Sequence, residues 1–287
     1  MENYWKYCLS LVLLSFLGAC DHLSKETYTH LEIGERRKLS SDYVGLSKRL
    51  EQGSPDQMKA LEKACRLNPR NEQAWTLLSA PYLYRGLYDE WHSHLEKAIE
   101  LHPEESAPIR GMNKLFYFRD YAGALYDFDL TDTLTVDKPD YIYINRKAKS
   151  VDYMRGLCYL GLKNYDTADQ YFIKYYETES SKTGSIEIDN TAFLYRGMMA
   201  NEQQDYTKAI TILNEGLEYG WPTADLYFQL AFAEFMSGNS IGAKQSLARC
   251  RELFDDGKYN RHRLYEVIGQ LYERDINELN VEIECFL

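Results

Sequence analysis

Apolar residues in this chain recur in paired stretches, each with the i, i+3, i+4, i+7 spacing of one helix face. Between Glu72 and Pro103 the first stretch carries Trp75, Leu78, Ser79 and Tyr82, and the second carries Leu95 and Ala98. Pro69 and Pro103 stand 34 residues apart, each closing a similar segment, LEKACRLNP and LEKAIELHP. With Glu72 as position 1, further units begin at Lys38, Lys149, Asn190 and Ala224, and a weaker one near Glu104. In that weaker unit the register predicts one residue missing between its two helices. Position 8 holds a small residue (Gly156, Gly197, Ala231), and position 24 holds a large one (Phe172, Leu213, Leu247). Small residues at 8 and 20 let the two helix backbones approach while large ones fill the seam. Breakers and caps separate the helices: Gly53-Ser54-Pro55, Gly86, Asn164, Asp205 and Gly238-Asn239. Ser54-Pro55 reads as an N-cap followed by proline at the first helical position.

This pattern resembles the tetratricopeptide repeat, with Trp91 where a small residue is usual at position 20. The resemblance implies an all-α fold, a right-handed superhelical solenoid of about six helix hairpins. Lys258–Leu279, with Leu264, Ile268, Leu271 and Tyr272, is predicted to form the solvating capping helix. The expected organisation is therefore a leader over 1–19, a tether over 20–37, the solenoid with its cap over 38–279, and a tail over 280–287. Two insertions, at 131–146 and 178–189, interrupt the period. In the first, Pro139 breaks helix and Tyr141–Ile144 favour a strand. Each insertion is either simple loop growth or part of a binding edge.

The N-terminus adds an address. Residues 9–19, LSLVLLSFLGA, are too short to span a bilayer, which needs about 20 apolar residues. They have the length of a signal-peptide hydrophobic region. The run ends Leu17-Gly18-Ala19-Cys20, which resembles the bacterial lipoprotein box. That resemblance implies lipidation of the Cys20 thiol and cleavage just before it, hence attachment to the cell envelope without a spanning helix. The alternative is an ordinary cleaved signal with an incidental cysteine.

Composition narrows the rest. There are 33 basic and 44 acidic side chains, a net charge of −11, which argues against a nucleic-acid surface. No C-x-x-C pair is present, so neither zinc nor a thioredoxin-like motif is indicated. Cys65, Cys158 and Cys250 are expected as small core residues, and Cys250 with Cys285 is the one plausible bridge. His92 and His94 stand at i, i+2 and point apart on a helix, a poor metal site. Catalytic motifs such as H-E-x-x-H and G-x-S-x-G are absent from the sequence. No enzyme activity, cofactor or metal is expected.

In the tetratricopeptide family, positions 2, 5, 9, 12 and 13 of the first helices line the concave partner-binding groove. Carried onto this chain, the resemblance implies a groove of Leu83, Tyr84, Tyr153, Leu157, Leu160, Leu194, Met198, Phe228, Phe232 and Phe235. An apolar, aromatic groove suits an extended segment or an amphipathic helix. The three phenylalanines either face a partner or are covered by the chain's own C-terminal helix and tail, Val281–Leu287. Arg110-Gly111, Arg155-Gly156 and Arg196-Gly197 put Arg at position 7, where its stem lies along the seam and its head pairs with a second-helix carboxylate. The expected protein is a lipid-anchored adaptor holding another envelope protein or peptide, with Cys20 as the membrane attachment. The alternative is an accessory lipoprotein that captures glycan or peptide for nutrient uptake.

Overall fold

A computed structural model describes residues 28–134, 141–144, 147–183 and 189–286. The leader and the tether over 20–27, Cys20 included, lie outside the described residues. The chain divides into two compact units, the first ending at Leu101 and the second beginning at His102.

The first unit holds α1 (Ile33–Ser47), α2 (Pro55–Leu67), α3 (Glu72–Tyr84) and α4 (Tyr88–Leu101), preceded by a single 3-10 turn at Tyr28–His30. These are two hairpins, and α2 packs on α3 between them. The last five tether residues are already helical, because α1 starts at Ile33 rather than Lys38. Val44, Leu61, Ala64, Cys65, Ala74 and Leu78 form the seam. Ser54 caps α2 by accepting from the Gln57 amide, with Pro55 at N1, as the sequence predicts. Trp91 is buried in α4 at the position where the repeat usually carries a small residue.

The second unit contains α5 (Pro103–Asn113), a π-helical turn (Lys114–Phe118), α6 (Tyr121–Leu134), α7 (Val151–Gly161) and α8 (Tyr165–Thr183). It continues with α9 (Thr191–Glu202), α10 (Tyr206–Glu218), α11 (Ala224–Met236), α12 (Ser240–Asp255) and α13 (Glu273–Cys285). Within it each hairpin's second helix packs on the next hairpin's first, so α6 meets α7, α8 meets α9 and α10 meets α11. Of the first insertion, strand β1 (Tyr141–Ile144) pairs antiparallel with β2 (Lys147–Ser150), from Tyr141 opposite Ser150 to Ile144 opposite Lys147. Ile142 is buried in the unit's core, and Ser150 caps α7. Of the second insertion, residues up to Thr183 lengthen α8 to 19 residues.

The spacing of small and large residues acts where it was expected to. A Cβ placed on Gly111, Gly156 or Gly197 would lie within 2.4–2.8 Å of Phe128, Phe172 or Leu213 respectively. Position 8 is therefore a glycine because the position-24 side chain of the same hairpin occupies the space a methyl would need. All six hairpin turns place a left-handed residue two before the second helix: Gly53, Gly86, Arg119, Lys163, Gln204 and Gly238. In five of them the next residue caps the helix: Ser54, Asp120, Asn164, Asp205 and Asn239.

Three expectations need correction. The weak unit near Glu104 carries one residue more between its helices, not one fewer: Gly111 to Tyr121 is ten steps, against nine from Gly156 to Tyr165. The π turn absorbs the extra residue, since its i→i+5 bonding fits more residues into one turn. Residues 258–272 are not helical, and the terminal helix begins only at Glu273 and runs through the supposed tail. The apolar spacing of Leu264, Ile268 and Leu271 resembled a helix face, but Gly269 sits at φ +66°. Cys250 and Cys285 do not pair: Cys250 is buried, Cys285 is exposed, and both are free thiols.

Candidate functional site

The first helices of the second unit carry most of the predicted groove residues. Leu157 and Leu160 on α7 and Leu194 on α9 are buried, with exposures of 2%, 6% and 2%. Tyr153 is half-buried among the rings of Phe172, Tyr175 and Tyr195, and its hydroxyl meets Thr191 Oγ1 at 2.9 Å. Burial holds its phenol well above the ordinary tyrosine range. Met198 on α9 and Phe228, Phe232 and Phe235 on α11 are half-buried. In the first unit, Leu83 is buried and Tyr84 is 40% exposed.

Residues 258–272 cover the second unit's face. This strap leaves the end of α12, and its Lys258 carbonyl accepts from the Ala224 amide at 2.9 Å. The Asn260 amide donates to Asp225 Oδ2 at 2.7 Å, and the Asn260 side chain donates to the Tyr195 hydroxyl at 3.1 Å. Farther along, Tyr265 stacks on Phe116 at 4.7 Å and meets Tyr117 edge-on, while Arg119 donates to the Glu266 carbonyl. Ile268 then packs into the core cluster of α7. Gly269 rests on Met198: a Cβ there would lie 2.2 Å from the methionine methyl. Leu271 is buried, and with Ile276, Leu279 and Ile283 of α13 it packs against Phe228, Phe232 and Phe235. Phe286 meets Phe235 edge-on. The three phenylalanines are thus covered by the chain's own C-terminal region, the second of the two possibilities the sequence left open.

Two polar anchors of the strap are incompletely matched. Asp225, 3% exposed, keeps Oδ1 without a hydrogen-bond partner among the described residues, and so does the buried Nη1 of Arg119. A cavity of about 40 Å³ lies beneath the strap, lined by Asp225 with Leu194, Phe228, Gln229, Gly269, Gln270, Leu271 and Asp275. Burial raises the Asp225 carboxyl to about 6, with the Asn260 amide opposing the shift. Burial also pushes the Tyr195 phenol up. Sequence reasoning missed Asp225, although it stands at groove position 2 and is an acid entering an otherwise apolar helix. Arg119, Asn260 and Tyr265 gave no periodic signal.

The arginines at position 7 act structurally, as expected. Arg110 pairs with the fully buried Asp127 on its own second helix at 2.6 Å, and Lys114 reaches the same acid at 2.9 Å. Arg155 and Arg196 instead reach back to the preceding hairpin. Arg155 meets Asp132 at 2.6 Å and Asp129 at 3.3 Å on α6, and Arg196 meets Asp169 on α8 at 2.6 Å. A polar cleft of about 360 Å³ opens beside that last pair, lined by residues including Tyr165, Asp169, Arg196 and Lys208.

Chemical groups elsewhere are quiet. Burial pushes the Cys65, Cys158 and Cys250 thiols up to about 12, so they stay protonated at neutral pH. His94 stacks on Trp75, and burial holds its imidazole below the ordinary value. Among the described residues no three His, Cys, Asp or Glu side chains gather as a metal site. No helix of the described residues is long and apolar enough to cross a membrane.

No protein-family model and no curated protein matches the sequence. Solved structures do match the fold. The chain is similar to PilF of Pseudomonas aeruginosa, at 15% identity and a TM-score of 0.61, covering 86% of this chain and 99% of that one. It is similar to PilW, a widely conserved type IV pilus biogenesis factor, at 17% identity and a TM-score of 0.55, covering 78% and 94%. A chain of the APC/C Cut9–Hcn1 hetero-tetramer matches at 13% identity and a TM-score of 0.59, covering 88% of this chain and 46% of that one. At such identities the likeness is one of fold, and it agrees with the hairpins and the position-8 contacts: the chain has the all-α helical-repeat fold of tetratricopeptide solenoids.

Proposed function

We propose that this protein is a non-enzymatic adaptor of the bacterial cell envelope, anchored by lipid on Cys20, that holds a polypeptide segment of another envelope protein. One observation carries the reading. The first helices of the second unit, together with the π turn and Arg119 that follow α5, hold fifteen residues of non-helical polypeptide, through ring stacking at Tyr265 and hydrogen bonds to the main chain of Lys258, Asn260 and Glu266. Main-chain recognition of this kind suits a polypeptide better than a sugar or a metal. The leader ending at Cys20 supplies the address, and two acyl chains give stable membrane attachment.

The test uses the full chain in its own host. Labelled palmitate enters the wild-type protein and not the Cys20→Ser variant, and detergent extraction recovers an envelope protein in stoichiometric amount. Absence of label from the wild type removes the anchor. Stabilisation by oligosaccharide with no protein partner replaces the adaptor by a capture protein.

A further inference from the structure

We infer that the face beneath residues 258–272 is the partner-docking surface, and that this strap is its built-in competitor, displaced by a polypeptide bearing an aromatic residue beside a carboxylate. The inference rests on the adaptor reading and adds to it where the partner sits and what it carries.

The strap has the marks of a replaceable occupant. None of residues 258–270 is buried, although Ile268 packs into the core cluster that holds Leu157 and Leu160, and Gly269 lines a cavity with Leu194. Its attachments are few and separate: the Tyr265 ring on Phe116, Ile268 in the core cluster, the Gly269 backbone on Met198, and hydrogen bonds to the main chain of Lys258, Asn260 and Glu266. A segment with few buried contacts opens at less free energy than the helices it lies on.

The fit is also incomplete at both polar anchors. Arg119 spends Nη2 on the Glu266 carbonyl and leaves the buried Nη1 without a partner. Asp225 accepts from Asn260 on Oδ2 and leaves Oδ1 unmatched beside the small cavity. Buried polar atoms without partners cost free energy, so a ligand that satisfies them gains over the strap. The guanidinium wants a carboxylate, whose two oxygens match its fork. The carboxylate of Asp225 wants a second donor. The Phe116–Tyr117 pair wants a flat ring, as Tyr265 shows.

The experiment uses a fluorescent synthetic peptide with the sequence of residues 258–272 as probe, added to the full chain. Tyr265→Ala in the chain weakens the resident strap, and the probe then binds at least tenfold more tightly than to wild type. A probe with its own tyrosine at the 265 position replaced by alanine loses that binding. Hydrogen exchange on the wild-type chain provides a reading that needs no variant. With excess isotopically heavy probe, the chain's Asn260 amide, bonded to Asp225 in the closed strap, loses protection while α11 and α12 keep theirs. The inference is overturned if the Asn260 amide exchanges only with global unfolding, or if the probe binds neither chain. Strap exchange between two copies, seen as concentration-dependent dimers of wild type, overturns it in favour of self-association. Capture of an envelope partner by a chain whose strap never opens sinks this inference and leaves the adaptor standing. Displacement by the probe with no envelope partner found does the reverse.

Discussion

The two units present the same repeat face in different ways. In the first, groove positions 2, 5 and 9 of α3 are Gln73, Thr76 and Ala80, small or polar, and Tyr84 at position 13 is 40% exposed. In the second, positions 5 and 9 are Tyr153 and Leu157, then Leu194 and Met198, then Phe228 and Phe232, and the chain returns to cover Met198, Phe228 and Phe232. An apolar face of that size left open favours aggregation or association. The polar face of the first unit needs no cover. The contrast shows that the repeat specifies helix-to-helix packing, while the choice at the groove positions decides whether a further segment must lie on top.

Alanine at one groove position from each unit gives the sharpest test. Leu194→Ala removes a 2%-exposed side chain beneath the strap and is expected to cost about 3–5 kcal/mol, read from the second unit's transition in urea. A loss under 1 kcal/mol would show that the covered face is not part of the core. Next in size is a pH effect that belongs to the second unit alone. The folded Asp225 carboxyl titrates near 6 against 3.8 unperturbed, so the folded state binds more protons than the unfolded state between those values. Its contribution is fully present below about pH 3.8 and is lost as pH rises through about 6, a fall of up to about 3 kcal/mol. Asp225→Asn flattens that slope. An unchanged slope in the variant would assign the effect to another group. The smallest effect is in the first unit, where Tyr84→Ala changes stability by less than about 0.5 kcal/mol. A larger loss would mean that the first unit's face is covered as well.

Much of this architecture was legible because it is periodic. Gly156 against Phe172 and Gly197 against Leu213 follow from one register, and so do the caps at Asn164 and Asp205. The position-7 arginines were recognised as structural, although nothing local told Arg155 and Arg196 to choose the preceding hairpin. The strap was illegible for the opposite reason. Its position depends on isolated contacts between residues far apart in sequence, such as Arg119 with Glu266 and Tyr195 with Asn260, and no spacing rule relates them. Its apolar residues even imitated a helix. The groove positions came by analogy with the repeat, and the cover over Phe228, Phe232 and Phe235 depends on that non-repeating C-terminal region.

The backward-reaching arginines carry a consequence for evolution and engineering. Arg155, with its side chain 4% exposed, takes its acids from α6, and Arg196 takes its own from α8. Removing or shuffling a single hairpin would therefore take Asp129 and Asp132 from Arg155, leaving it the longer 3.8 Å contact to Asp152 on its own helix, and would take Asp169 from Arg196, a cost for each cation held inside protein. These hairpins are not interchangeable beads. The two hairpins that begin with α7 and α9 are each keyed to their predecessor, so those blocks can be moved or duplicated only together with the acids that pair with them.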